Sequence, residues 1–268
     1  MECHWLAHRE RHFAGRQRIV PHLFRGAEIS AGDRVLDVGC GFGETTILAA
    51  RAAFGSEMAV RSGSVLGLDL SHSMLDVGRR LANEAGVTNV RFAQCDAEVY
   101  SLRFGTYDVV ISSFGVMFFN NPAAAFRNFA DALRRGGRLA FLCWQSNLLN
   151  EMTAIPLRAF MAHTRSRDLD GNALFDDPKR IIDLLSRAGY IDITVEAVNE
   201  PAWMGSDVAD VMTYICGTPK VRKLLASLPT QELRALILEA MADDYAKCQR
   251  YDGVWVPAAA RMVTATRY

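Results

Sequence analysis

Three carboxylates and three glycines carry the chemistry legible in this chain. Asp37 sits in an apolar run, Val35-Leu36-Asp37-Val38, and glycines follow at alternate positions in Gly39-Cys40-Gly41-Phe42-Gly43, ahead of the helix-compatible Glu44-Thr45-Thr46. Asp69 closes a second apolar run within Gly67-Leu68-Asp69-Leu70-Ser71, and Asp96 follows a third within Cys95-Asp96-Ala97-Glu98. A turn without side chains lets backbone N–H groups approach a ligand closely, and a helix start adds its dipole. An acidic residue at the end of a strand can accept both hydroxyls of a ribose and tends to exclude a 2′-phosphate, which suits Asp69. Asp96 is placed to accept from an exocyclic amine. Several nucleotide-binding chemistries use a glycine-rich turn, so the turn alone does not select the ligand.

The elements that position these residues alternate. Arg34 to Val38 is predicted as a strand, Thr45 to Ala53 as a helix and Val65 to Leu68 as the second strand, after a Gly/Ser-rich connection over 55–63. Ser71 is the expected N-cap of a helix through Ala85, with Gly86 just past its end. Val90 to Ala93 and Tyr107 to Ser112 are the third and fourth strands. Asn121-Pro122 starts a helix with Phe126, Phe129, Ala130 and Leu133 as its buried stripe and Gly136-Gly137 as its end. Arg138 to Trp144 is the fifth strand, Asp177-Pro178 starts a further helix, and Ile191 to Val198 and Ala260 to Thr266 are the sixth and seventh strands. This alternation predicts an α/β, Rossmann-like, seven-stranded and mostly parallel sheet with helices on both faces. Residues 147–170 and 207–249 break the alternation and are expected as helical insertions that cap the site, within a single domain spanning 1–268.

Composition bounds the function. Half of the 268 residues are apolar and the net charge is zero, which gives one large core and no field for a polyanion. No apolar run approaches the roughly 20 residues of a membrane helix. The six cysteines (3, 40, 95, 143, 216, 248) are scattered without a C-x-x-C pair, as expected of reduced thiols in a cytoplasmic protein and not of a zinc site. The expected partners are therefore a small-molecule substrate and at most a second copy of the chain in a homodimer, with no nucleic acid, metal or membrane insertion.

A dinucleotide site calls for G-x-G-x-x-G. Here Glu44 stands where the third glycine of that pattern would fall, and Asp37 puts a carboxylate beside the turn. That carboxylate opposes a pyrophosphate and accepts a cationic cofactor, so a nucleoside carrying a sulfonium and an amino acid fits better. VLDVGCGFG, GLDLS-x-x-M, the Asp96 pair and YDVVIS…LRRGGRLAF resemble the successive motifs of class I S-adenosylmethionine-dependent methyltransferases, in particular the UbiE-like small-molecule group. The resemblance is strongest over residues 33–144 and continues through Phe175-x-Asp177-Pro178 to the last strand.

The resemblance implies roles position by position. Gly39, Cys40, Gly41 and Gly43 would wrap the methionine part of S-adenosylmethionine, with Asp37 ordering the loop. Asp69 would hold the ribose, Leu70 and Met74 would pack on the adenine, and Asp96 with the backbone of Ala97 would recognise the adenine edge. Ser113 and Phe114 would lie beside the amino-acid group and the reactive methyl. Met74 reads equally as core, and Trp5 and Trp144 as core or as pocket walls.

His163, in the first insertion, is the best-placed candidate general base, and the acceptor is expected to be small and partly apolar. His4, His8 and His12 share one helix face, read as solvated or substrate-facing because no carboxylate or cysteine pattern supports a metal site there. The Asn/Asp-Pro-Pro-aromatic motif of nucleic-acid amine methyltransferases does not follow the fourth strand, where Ser112-Ser113-Phe114-Gly115 stands instead. The alternative reading is an S-adenosylmethionine-binding enzyme of the same fold that catalyses a non-methylating rearrangement or cyclisation.

Overall fold

A computed structural model describes residues 2–55, 63–164 and 173–268, arranged as two compact units. The first unit comprises Ile19–Trp144, Ala173–Val198 and Ala260–Tyr268. It is built on strands β1 (Arg34–Val38), β2 (Ser64–Asp69), β3 (Val90–Gln94), β4 (Tyr107–Ser113) and β5 (Leu133–Trp144), with parts of β6 (Tyr190–Gly205) and β8 (Gly253–Arg267). Together with the two-residue β7 (Gln249–Arg250), these strands form one sheet in the order β3-β2-β1-β4-β5-β8-β6, with β7 paired to β8. β1 to β5 run parallel wherever they are neighbours, and β8 returns antiparallel to β5. Chain order reverses at β1, which lies between β2 and β4. That places the switch point where such sheets bind ligands at the C-terminal ends of β1, β2 and β4.

Alternation along the strands divides the core between two faces. Leu36, Val38, Leu68, Val110, Leu139 and Val263 pack with Phe126 and Phe129 of the Pro122–Ala132 helix and with Ile181 and Leu185 of the Pro178–Arg187 helix. The Val20–Ala27 helix crosses the opposite face, where Gly26 lies against the side chains of Met262 and Thr264. The Asp177 side chain caps the Pro178–Arg187 helix through the Lys179 N–H, and Ser71 caps the His72–Glu84 helix through the Met74 N–H at 3.1 Å. Both starts agree with the sequence expectation.

Two boundaries differ from it. The Pro122–Ala132 helix stops before the glycine pair, and Gly136-Gly137 instead form an irregularity inside β5, where the pairing jumps from Tyr107–Leu133 to Val109–Arg138. A Cβ on Gly137 would lie 2.8 Å from the Arg134 carbonyl oxygen, so the local path needs glycine there. β6 and β8 run well beyond the expected Ile191–Val198 and Ala260–Thr266. Pro201 and Pro257 make those extensions read as loops, but β6 is an edge strand, and Pro257 lies past Trp144–Ala260, the last β5–β8 pair. β7 adds an eighth strand to the seven expected. Most of the 55–63 connection and residues 165–170 of the first insertion lie outside the described residues.

The second unit comprises residues 1–18, 145–172 and 199–259. It therefore takes in both expected insertions together with the start of the chain. Its helices include Glu151–His163, Val208–Gly217, Pro219–Ala226 and Gln231–Ala246. Ile237, Met241 and Tyr245 of the last are fully buried, and the Tyr245 hydroxyl donates to the Met152 carbonyl at 3.3 Å. The buried Asn150 side chain donates to the Ala259 carbonyl at 3.1 Å and accepts from the Ala259 N–H at 2.9 Å, fixing the start of the 151–163 helix.

Candidate functional site

The four parallel strands β1 to β4 deliver the sequence-predicted residues to one edge of the sheet unit, where hydrogen bonds join their loops. Asp37 is fully buried at the end of β1, and its Oδ2 accepts the hydroxyls of Thr45 at 2.9 Å and Thr46 at 2.7 Å. These bonds tie the strand end to the first turn of the Glu44–Ala53 helix and fix the loop between them. Its Oδ1 is buried without a partner among the described residues. Burial pushes the carboxyl up to about 6, against the two threonine hydrogen bonds and with a smaller push from the Asp69 and Glu44 charges.

The raised value makes a stability prediction. Between about pH 4 and pH 6 the folded chain binds this proton more tightly than the unfolded chain, so the carboxyl's cost is absent at the acid end and grows as pH rises through the window. Replacing Asp37 by Asn should remove a fall of about 2–3 kcal/mol across that window. Urea unfolding of both proteins at several pH values between those limits measures it. Parallel stability–pH curves for the two would contradict it.

Gly39, Gly41 and Gly43 all have left-handed backbone, with φ of 66°, 55° and 78°. Their surroundings differ. A Cβ on Gly39 would sit 2.8 Å from the Cα of Gly115, and one on Gly43 would sit 2.8 Å from the Phe92 ring, whereas one on Gly41 would meet nothing within 4 Å. Gly39 and Gly43 are thus closed by packing, and Gly41 presents open backbone. The Cys40 N–H donates to the Leu68 carbonyl at 3.0 Å, and the Cys40 thiol is buried. Burial, with the charges of Asp37 and Asp69, pushes that thiol well above its ordinary value, so Cys40 serves as a small apolar side chain.

Asp69 spans the turn from the neighbouring strand. Its Oδ2 accepts the Gly41 N–H at 2.8 Å and its Oδ1 accepts the Ser71 N–H at 2.9 Å. An ionised carboxylate has about four acceptor positions, so two remain for a ligand. Leu70 is 68% exposed beside it, and Met74 is half-buried one helical turn further on.

At the end of β3 the Asp96 Oδ1 accepts the Glu98 N–H at 2.9 Å, and the Cys95 N–H ties this loop to the Asp69 carbonyl at 3.0 Å. Ala97 is buried, its carbonyl held by the Asn128 side chain at 3.0 Å. The end of β4 completes the arrangement. The Ser113 hydroxyl is buried with no partner among the described residues. Phe114 is nearly buried, has φ of 65°, and stacks on Trp144 with ring centroids 4.0 Å apart. A left-handed conformation costs a non-glycine residue on the order of 1–2 kcal/mol, which the stack and the Phe114 N–H bond to Leu142 at 3.0 Å oppose. Trp144 is therefore a packing partner of Phe114.

Four contributors were not singled out from the sequence. The Glu98 carboxylate accepts the N–H groups of Asn120 and Asn121, both at 2.7 Å, and pins the loop after β4 to the loop after β3. The Ser112 hydroxyl donates to the Val38 carbonyl at 2.6 Å, Gly115 gives Gly39 its close backbone neighbour, and Phe92 packs against Gly43, Gly67 and Gly78. Only Gly115, a glycine in the turn just after β4, carried a sequence signal.

His163 belongs to the helical unit, where it is exposed in the last turn of its helix. It is not among the residues that these loop contacts join. The expected row of His4, His8 and His12 spans two helices, Glu2–Ala7 and Arg9–Arg16, which break at His8. Its rings turn onto Tyr214 of the same unit, which replaces the solvated half of the expectation of a solvated or substrate-facing row. Among the described residues no cluster of three or more His, Cys, Asp or Glu is arranged to hold a metal ion. Nor is any helix among them long and apolar enough to cross a membrane.

The stretch that contains β1 to β4 and these loops, residues 35–137, matches the family model of a methyltransferase domain. It is a class I S-adenosylmethionine-dependent methyltransferase domain of the UbiE-like group. Aklanonic acid methyltransferase DauC of Streptomyces sp. (strain C5) is 36% identical over 115 residues, 43% of this chain and 50% of that protein. The ubiquinone/menaquinone biosynthesis C-methyltransferase UbiE of Marinomonas sp. (strain MWYL1) is 34% identical over 135 residues, 49% of this chain and 51% of that protein. The matches thus span about half the length of these curated relatives. Among solved structures the YcgJ protein of Bacillus subtilis superimposes with a TM-score of 0.61 at 18% identity, over 92% of this chain and 97% of that one. At that identity the likeness shows the fold.

The residues present fit S-adenosylmethionine. Asp69 keeps free acceptor positions for two hydroxyls, Gly41 offers an open backbone face beside it, and Ser113 carries a buried hydroxyl still without a partner among the described residues.

Proposed function

We propose that the protein is an enzyme that transfers a methyl group from S-adenosylmethionine to a small, partly apolar metabolite. The observation that carries this reading is the Asp69 carboxylate bridging Gly41 and Ser71 beside the one glycine of the turn with open space over it. In this reading Asp69 accepts the ribose hydroxyls, and Gly39, Cys40 and Gly41 lie along the methionine portion, with Gly43 starting the helix below. Asp37 holds the turn through Thr45 and Thr46. Leu70 and Met74 contact the adenine faces, Asp96 and the Ala97 backbone its edge, and Ser113 and Phe114 the amino-acid end.

Bound S-adenosylmethionine supplies a methyl group already activated on a sulfonium. The chain's own task is then to align the acceptor in line with that methyl and to exclude water. The names of DauC and UbiE, which refer to aklanonic acid and to quinone biosynthesis, support a small, partly apolar acceptor. The zero net charge supports a free metabolite over nucleic acid, and the scattered cysteines support a reducing, cytoplasmic setting. His163 is the side chain to test as a base.

Incubation with methyl-labelled S-adenosylmethionine and a panel of phenolic, quinol and polyketide acceptors tests the proposal. Labelled product is the expected result. Turnover without label would replace it with the rearrangement or cyclisation reading. Failure to bind S-adenosylhomocysteine by calorimetry would overturn the cofactor assignment itself.

A further inference from the structure

The helical unit contains a cluster of ionisable rings that methyl transfer does not use. His4 and His8 have ring centroids 4.6 Å apart, and His4 stacks on Tyr214 at 5.3 Å. His8 and His12 meet the same tyrosine edge-on at 5.0 Å and 5.8 Å, and Trp5 stacks on His12 at 4.0 Å. The Nε2 atoms of His4 and His12 are buried and have no hydrogen-bond partner among the described residues. One tyrosine of the Val208–Gly217 helix thus gathers three imidazoles from the first two helices.

The charged groups around the cluster are mostly cations. Arg11 and Arg16 come from the Arg9–Arg16 helix that carries His12, and Arg222 reaches His4 from the Pro219–Ala226 helix. The Arg16 Nε donates to the His12 carbonyl at 2.9 Å, and the Arg11 guanidinium lies 4.8 Å over the Tyr214 ring. Asp210 is the carboxylate facing them from the Val208–Gly217 helix, and it is already occupied. Arg11 Nη2 lies 2.5 Å from its Oδ1, and the Ser206 N–H donates to its Oδ2 at 2.9 Å. Glu10, on the helix that carries His12, pairs with Arg9 and is itself almost fully exposed. A proton added to the cluster would therefore meet like charges, with no free anion among these groups to answer it.

We propose that His4 and His12, packed with Tyr214, form an acid-released latch, in which these two rings, while neutral, hold the helices Glu2–Ala7 and Arg9–Arg16 to the helical unit and acidification frees them. Neutral imidazoles pack as flat aromatic rings and tolerate the neighbouring arginines. Imidazolium rings are repelled by those arginines and must leave to be hydrated. Burial lowers His12 to about 3, with Arg16, His4, His8 and Arg11 adding to it, and burial followed by His8 and Arg222 lowers His4. The folded value lies below the free one, so the latch is intact above the free value of 6.5 and weakens as pH falls below it. For His12 alone the released form gains about thirtyfold at about pH 5 relative to neutrality. The break at His8, with φ of −121° there, gives the two helices a place to separate.

Hydrogen exchange of the full chain, corrected for intrinsic rates, tests this on segments covering residues 2–16 at about pH 7.5 and about pH 5. Protection of these segments should fall at least about tenfold at the acid pH, while β1 and β4 stay protected. In the double variant His4→Phe/His12→Phe, which keeps the rings and removes the protons, protection should no longer depend on pH. Equal protection of the native chain at both pH values would overturn the latch, as would acid release that persists in a normally packed double variant. If the double variant does not pack at neutral pH, ring-nitrogen NMR of the native chain decides. His4 and His12 staying neutral until the helices exchange freely supports the latch, and their protonation near pH 6.5 with the helices still protected overturns it.

Discussion

Asp69→Ala should weaken S-adenosylhomocysteine binding by about a hundredfold or more while leaving the sheet unit folded. Hydrogen bonds from two hydroxyls to an ionised carboxylate contribute roughly 1.5–3 kcal/mol each, and the substitution removes both acceptors. It also frees the Gly41 and Ser71 N–H groups that the side chain now holds at 2.8 Å and 2.9 Å, so the turn loses its tie to β2. Asp69→Asn is the informative companion. An amide keeps the shape, but its NH2 must face one of the two backbone donors, so binding should again fall steeply. Calorimetry measures both variants, and near-native affinity in Asp69→Ala would remove Asp69 from the site.

Alanine at Gly39 and at Gly41 should have opposite signatures, although the two glycines share a turn and a left-handed backbone. A Cβ at Gly39 meets the Gly115 backbone at 2.8 Å, which cannot rotate away as a side chain could. Strain at positive φ adds to that clash, and Gly39→Ala should cost about 3 kcal/mol of stability. At Gly41 the added methyl meets nothing within 4 Å, so only the strain remains, about 1 kcal/mol. Its methyl would project into the space assigned to the cofactor, so Gly41→Ala should lose cofactor affinity by about tenfold or more. Urea midpoints and S-adenosylhomocysteine affinity, measured on both variants, separate packing from binding. Equal loss of stability in the two would contradict the distinction between a packed and an open glycine.

The candidate site was legible in the sequence where it depends on residue type at a strand end. Asp37, the alternate glycines, Asp69 and Asp96 each close or follow a stretch that reads as a strand, and in β1 and β4 a continuous run of buried residues marks a parallel strand without help from its partners. Helix starts were legible for the same local reason, since Ser71, Asn121 and Asp177 cap with their own side chains. Strand lengths were not. Gly136-Gly137 look like a helix stop until β4 draws the chain into the sheet at Leu133.

The sequence by itself determined the fold class and the domain family, because these follow from local patterning and side-chain chemistry. Only the tertiary structure decided that Asp69 reaches across to Gly41, that Gly39 is closed by Gly115 and that Glu98 pins the loop after β4. It also decided that three histidines expected on a solvated or substrate-facing helix turn onto Tyr214. Each of these pairs is far apart in the chain. A contact of that kind has no periodicity to betray it, because the packing of whole elements sets it and the residues between leave no trace of it.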